Sequence, residues 1–336
     1  MKLSEFQQEY HWMYGLQEYF NHKSPDHALQ WDILHKALWH DNWYRKRDIL
    51  LDFYDKEKSN PTHLKAWLNI LFHEHMQEIE MKPQLVVTMM RKFMDEDPFL
   101  VSLARFINYW TGGDESAATM PDINDFLSRG QVQSKLWMVD ELKNIIDEDM
   151  GTVMFYGGWY NFAAHFLFEN FNVEKIYSLD LNVETVNPSK KLYQLDNSKD
   201  KFFPCTADVE TIVWTKDDGR NSASFTNENR KNQLQAHATT QQSDKEEISK
   251  RSLERVDNVN CIVNTSCEHM GNKWFEDLPN GMFVILQTND YFENEQHSNC
   301  CKDLAAAKAK YPLSEIYYEG ELDTQLYNRF MLIGKK

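Results

Sequence analysis

Hydrophobic and polar positions change their period near the middle of the chain. From Ser4 to about Trp110 the apolar residues recur at spacings of three and four, as in Trp31, Leu34 and Leu38 or in Leu64, Trp67, Leu68 and Leu71. Nothing in that stretch reads as a convincing strand. Proline and capping signals at Ser24-Pro25, Ser59-Asn60-Pro61, Lys82-Pro83 and Asp97-Pro98 divide it into about five helices. The pattern predicts an all-helical amino-terminal domain over residues 1–115. The small, polar run Thr111–Pro121, with Gly112 and Gly113, reads as the linker that follows.

The second domain is predicted over residues 116–336. Asp122 to Arg129 reads as a short helix, and Gln131 to Ile146 as a longer one whose apolar stripe is Val132, Leu136, Val139, Leu142 and Ile146. That stripe is expected to pack on a sheet. Short apolar runs then end in polar residues: Val153–Tyr156, Lys175–Asp180, Phe202–Asp208, Asn260–Ser266 and Gly281–Gln287. These read as buried parallel strands with polar carboxyl ends. Glu315–Glu319 and Leu326–Ile333 have no helix-length segment between them, so they predict an antiparallel hairpin joined by a loop containing Gly320. Residues 216–252 are nearly devoid of large apolar side chains, which predicts a solvated polar insertion.

Candidate chemistry gathers where the first two strands meet. Strand Val153–Tyr156, the pair Gly157-Gly158, a helix that Asn161 is placed to cap, and a strand ending at Asp180 make a βαβ unit. The glycines permit a tight turn and bring bare backbone close to a ligand. An acidic residue about 20 positions on stands where a carboxylate commonly bonds ribose hydroxyls.

Composition narrows the partners. The chain has 336 residues, 36 basic against 52 acidic, and a formal charge of -16. That balance repels a nucleic-acid backbone, and Arg45-Lys46-Arg47 reads as a solvated helix face. A small-molecule or protein substrate is expected instead. Five cysteines, Cys205, Cys261, Cys267, Cys300 and Cys301, share no repeated spacing, so neither a disulfide framework nor a zinc site is signalled. No apolar run is long enough for a membrane span, and the polar amino terminus lacks a signal-peptide core, so a soluble cytoplasmic protein is expected. Eight of the twelve histidines fall in the helical domain, but His73 and His75 lie two apart, on different helix faces. No metal site is predicted.

The succession of strands ending at Tyr156, Asp180, Asp208, Asn264 and Gln287, closed by a hairpin, resembles the class I S-adenosylmethionine-dependent methyltransferases. The resemblance covers about residues 122–336. Arg329-Phe330-Met331-Leu332-Ile333-Gly334 looks like that family's last strand, and Ser134-Lys135-Leu136-Trp137 like the helix before its first. Asn264-Thr265-Ser266-Cys267-Glu268-His269-Met270 and the final strand are similar to methyltransferase-like proteins of tailed bacteriophages, for which the compartment would be the host cytoplasm. The resemblance implies an α/β, Rossmann-like seven-stranded sheet whose last strand inserts antiparallel, and S-adenosylmethionine as cofactor. It assigns Tyr156, Gly157, Gly158 and Trp159 to the methionine part of the cofactor, Asp180 to the ribose and Asp208 to the adenine amino group, with Asn264 and Ser266 beside them.

Two departures matter. Only Tyr156-Gly157-Gly158-Trp159 stands where the family carries three alternating glycines. Asn264-Thr265-Ser266-Cys267 lacks the proline and aromatic residues used to methylate adenine or cytosine amines, and Cys267 lacks the preceding proline of carbon-5 cytosine enzymes. Methyl transfer to oxygen or nitrogen with general-base assistance remains, with His269 the first choice of base and Glu268 the second. Cys267 as nucleophile lacks an identifiable activating base. Asp290, Tyr291 and His297 are expected on the substrate side. The alternative is a non-catalytic scaffold or assembly protein that keeps the fold and not the chemistry.

Overall fold

The computed structural model describes residues 11–23, 103, 125–193, 198, 200–236 and 248–336. The chain divides into two compact units, 1–133 and 134–336. In the first, helix α1 spans His11–Lys23. It buries Leu16, Tyr19 and Phe20, and Arg129 pairs with its Glu18 at 2.7 Å. The other proline stops, the linker and the remaining amino-terminal histidines lie outside the described residues.

Helix α2 (Arg129–Lys143) starts two residues earlier than the stripe suggested and stops before Ile146, which is only half-buried. Its other stripe residues, Val132, Leu136, Val139 and Leu142, are all buried. The helix is tied to the sheet by Gln287, whose Nε2 donates to the Ser134 carbonyl at 2.8 Å, and by Trp137, whose indole donates to the Tyr318 hydroxyl at 3.0 Å.

Among the described residues ten strands follow: β1 (Asp149–Tyr156), β2 (Asn172–Asp180), β3 (Phe202–Thr206), β4 (Val213–Asp217), β5 (Arg220–Thr226), β6 (Leu253–Val256), β7 (Val259–Asn264), β8 (Phe283–Asn289), β9 (Glu315–Asp323) and β10 (Asn328–Lys335). Seven of them form one sheet in the order β3-β2-β1-β7-β8-β10-β9. β1, β2, β3, β7 and β8 run parallel, and β10 enters antiparallel between β8 and β9. This is the α/β, Rossmann-like seven-stranded sheet expected, with its last strand inserted antiparallel. Both faces of β1 are covered, so Val153, Met154, Phe155 and Tyr156 are buried in succession, as a central parallel strand requires. Edge strand β9 is half-exposed and bears Glu315, Glu319, Glu321 and Asp323, charges that discourage pairing with a further strand.

Gly320 lies inside β9, not in the hairpin loop, which is formed by Thr324–Tyr327. A Cβ on Gly320 would stand 2.3 Å from the Tyr318 hydroxyl oxygen. The glycine therefore makes room for the ring that holds Trp137.

The polar insertion is built rather than bare. β4, β5 and β6 form a separate antiparallel sheet, turned by Asp218-Gly219 with both residues at positive φ. Helix α5 (Glu228–Ala236) follows β5 and buries none of its residues. The sheet's inner residues Ala223, Phe225 and Val256 join the core cluster that contains Met154 and Val259. The sequence hid this because β5 (Arg-Asn-Ser-Ala-Ser-Phe-Thr) offers few large apolar residues on its buried face.

Two other helices frame the site. α3 (Phe162–Asn170) packs on β2, and α4 (Val186–Leu192) packs on β3. Short α6 (Lys273–Glu276) and α7 (Leu304–Lys310) cover later parts of the sheet.

Candidate functional site

The parallel strands end together. Tyr156 is in register with Leu179 on one side and Asn264 on the other, and Asn264 with Leu286. Between β1 and β7 the connections leave in opposite directions, since β2 and β3 lie on one side and β8 on the other. Such a switch point opens a crevice at the carboxyl ends, where ligands of α/β sheets bind.

Gly157 and Gly158 make the turn out of β1. Gly157 has φ +62, a conformation that a side chain makes costly. A Cβ on Gly158 would fall 2.1 Å from the Ser178 Oγ, so β2 approaches the turn closely. The expected cap is present: Asn161 Oδ1 accepts from the Ala164 amide at 3.2 Å, and its Nδ2 donates to Ser178 Oγ at 3.0 Å. Trp159 and Asn161 both sit in the left-handed region, at φ 48 and 52. Nothing in the sequence signalled this at Trp159. Three bonds hold the conformation: the Trp159 amide to Asp180 Oδ2 at 2.7 Å, Ser189 Oγ to the Trp159 carbonyl at 3.2 Å, and the Tyr193 hydroxyl to the Asn161 carbonyl at 2.5 Å.

Asp180 is the hub of the turn. Its second oxygen, Oδ1, accepts from the Asn182 amide at 2.8 Å. Burial pushes the carboxyl above its usual range, against the opposing pull of these two amides and of the nearby His269. Each oxygen carries a further lone pair, so the fixed carboxylate can accept from a vicinal diol. The ends of β2 and β3 are joined by the Ala207 amide, which donates to the Asp180 carbonyl at 3.0 Å. Asp208 follows there, half-buried, with Oδ1 capping the turn at Glu210 at 2.9 Å. These residues fit a nucleoside.

The side of the turn facing β7 is tighter. A Cβ on Gly157 would meet Met270 Cε at 2.8 Å and Ser266 Cβ at 3.3 Å, and Ser266 Oγ donates to the Gly157 carbonyl at 3.3 Å. Tyr156 offers only its backbone here, because its ring packs edge-on against Trp274, 5.6 Å away, in the core. Asn264 is likewise turned inward. Fully buried, it accepts from the Ser266 amide at 3.0 Å and donates to Met270 Sδ at 3.1 Å. Its work is to shape the loop after β7.

That loop brings Glu268 and His269 to the crevice. Glu268 is 2% exposed, and its Oε1 accepts from Asn289 Nδ2 at 2.7 Å and from Arg329 Nη2 at 3.4 Å. Burial alone would lower the Arg329 guanidinium, but Tyr327 and Glu268 outweigh it and hold Arg329 charged. Glu268 Oε2 is buried without a partner. His269 is exposed and its Nδ1 lies 3.2 Å from the Gln296 carbonyl. His297 comes from the loop after β8. Its ring centroid is 4.6 Å from that of His269, at 90°, and its Nδ1 lies 3.0 Å from the Tyr291 carbonyl. Burial lowers the His297 pKa, with Glu268 opposing.

Cys267 stands apart from this chemistry. It is fully buried and its Sγ donates to the Asn264 carbonyl at 3.5 Å. Burial pushes its thiol far above the ordinary range, which removes the thiolate a nucleophile needs. Asp290, expected on the substrate side, accepts from Asn328 through both oxygens, at 2.8 and 2.9 Å, and so pins β10 to the loop after β8.

No family model matches the chain, and no curated protein matches it. Among solved structures it is similar to a SAM-dependent methyltransferase from Aquifex aeolicus, at 12% identity over 59% of this chain and 88% of that one, with TM-score 0.37. It is similar to a SAM-dependent methyltransferase from Leishmania major, at 10% identity over 71% and 85%, with TM-score 0.40. A third is geranyl diphosphate methyltransferase in complex with SAM, at 10% identity over 67% and 93%, with TM-score 0.40. Among the described residues no helix is long and apolar enough to cross a membrane.

Proposed function

We propose that the protein is an S-adenosylmethionine-dependent methyltransferase acting on an oxygen or nitrogen of a small molecule or a protein. The observation that carries this reading is Asp180, a half-buried carboxylate held by the Trp159 and Asn182 amides at the switch point of the sheet. It is fixed before any ligand arrives, so accepting two ribose hydroxyls costs little further ordering. Asp208, one strand over, is the candidate for the adenine amine, and Gly157, Gly158 and Trp159 line the way to the methionine end. S-adenosylmethionine supplies an electrophilic methyl group on a sulfonium when bound.

The chain's own contribution to the transfer lies in the loop after β7. Ser266 and Met270 border Gly157, and His269 is exposed beside Asp180, the side chain of this loop freest to meet an acceptor and take up its proton. Glu268 acts through position, because Asn289 and Arg329 hold it. Met270 Cε over Gly157 must swing aside for the methionine portion to seat against the turn. Met is unbranched and can do so without moving the backbone.

Calorimetry of the full chain with S-adenosylhomocysteine tests the reading. Saturable one-to-one binding that Asp180→Asn weakens is expected. Absence of binding to either S-adenosylhomocysteine or S-adenosylmethionine would leave the scaffold reading in its place.

A further inference from the structure

We propose that Glu268, His269 and His297 form a binding site for one divalent transition-metal cation. The three residues come from two loops, after β7 and after β8, and each offers a ligand atom within 4.8 Å of the other two. Two imidazoles with one carboxylate suit zinc, iron, cobalt or manganese better than calcium or magnesium, which prefer oxygen. The set leaves coordination positions open, as catalytic sites do.

The surroundings match what ligands need. Nδ1 of both rings faces a backbone carbonyl, Gln296 at 3.2 Å and Tyr291 at 3.0 Å. Donation there fixes the tautomer with the proton on Nδ1 and leaves the Nε2 lone pair for a metal, the outer-shell arrangement usual for ligating histidines. Glu268 is oriented the same way, by Asn289 and Arg329 on Oε1, while Oε2 is buried and unsatisfied. An orphaned buried carboxylate oxygen is costly, and a cation would remove that cost.

Two features oppose loading. Asn294 Nδ2 lies 3.3 Å from His297 Nε2 and must yield. Arg329 brings a positive charge; its Nη1 and Nη2 are engaged by the Thr265 carbonyl, Oε1 and the Tyr327 hydroxyl, while its Nε is buried without a partner. Ligands at about 2.1 Å around a tetrahedral metal stand about 3.4 Å apart, so separations of up to 4.8 Å must shorten by up to about 1.4 Å. The exposed His269 has that freedom.

The metal site stands on this geometry and not on the methyl-transfer reading. If both hold, an acceptor oxygen or nitrogen bound at an open position would lose its proton more readily, and His269 would serve as a ligand instead of a base. Acceptors with a coordinating hydroxyl or amine would then be favoured.

The test uses the full chain, stripped with a chelator and titrated calorimetrically with Zn2+, Mn2+ and Co2+ in separate runs, without S-adenosylmethionine. One equivalent per chain is expected for at least one of them, with His269→Gln and His297→Ala each weakening it by about tenfold or more. The double variant His73→Ala/His75→Ala should bind like the parent. Should His297→Ala fail to fold, the visible spectrum of the Co2+-loaded parent and of His269→Gln decides, since loss of a nitrogen ligand changes its intensity and position. Absence of stoichiometric binding overturns the proposal, as does binding that neither site variant changes. Binding of S-adenosylhomocysteine is measured separately, so failure of one reading leaves the other standing.

Discussion

Replacing Asp180 by asparagine separates a ligand-binding carboxylate from a structural one. The native side chain accepts from Trp159 N at 2.7 Å and from Asn182 N at 2.8 Å. Asparagine keeps one acceptor oxygen and sets an NH2 group against the other amide, so one charge-assisted bond of roughly 1.5–3 kcal/mol is lost. The neutral side chain is also relieved of the desolvation that pushes the native carboxyl up. These terms oppose each other, and the net loss of stability should be about 1–2 kcal/mol, readable as a shift in urea midpoint at constant slope. Cofactor binding has no such compensation. A ribose that loses its charged acceptor loses roughly 1.5–3 kcal/mol, or about ten- to hundredfold in Kd for S-adenosylhomocysteine. Acidification should separate the two quantities in sign. Because the folded pKa lies above the reference 3.8, wild-type stability from this group is full below that value and is lost as pH rises through the folded pKa. Affinity runs the other way, falling as the carboxylate is protonated, and the variant should show neither trend. A variant that loses more than about 4 kcal/mol of stability while binding cofactor unchanged would mean that Asp180 only builds the turn.

Other changes probe the framework. Arg329→Met leaves the Glu268 carboxylate, 2% exposed, without its cation, and should cost about 3–5 kcal/mol in chemical denaturation, part of which Glu268→Gln restores in the double variant. Gly320→Ala should displace the Tyr318 hydroxyl from Trp137 and match Trp137→Phe at about 1 kcal/mol, with little further loss when the two are combined. Alkylation of the native protein followed by mass spectrometry should modify Cys300, the half-exposed thiol, before Cys205, Cys261, Cys267 and Cys301, and Cys267→Ser should retain methyl transfer.

How much of this was legible beforehand depended on the range of the interaction. Strands ending at Tyr156 and Asp180, the Asn161 cap and the closing hairpin rest on local chemistry, and each lies within a residue or a few of its expected place. Trp159 at positive φ could not be read, because the bonds that compensate it come from Asp180 and Ser189. His297 was legible only as a residue beyond a strand. Its meeting with Glu268 and His269 depends on β7 and β8 lying side by side in the sheet. The spacing within one helix on which His73 and His75 are set aside as ligands says nothing of side chains that two loops bring together, as in the cluster of Glu268, His269 and His297 among the described residues.

The parallel pairing of β1 with β7 sets Thr152 against Val259, so the centre of the sheet closes only after about a hundred residues have been threaded between them. Everything between β3 and β7, the three-stranded sheet included, lies within that one closure. Its entropy grows only with the logarithm of length, about 0.6 kcal/mol for each doubling. Excursions such as the stretch from α5 to β6 can therefore lengthen or shorten at small thermodynamic cost. The cost that does accrue is in time, because so non-local a contact forms late and keeps the apolar faces of β1 and β7 exposed to other chains until it does.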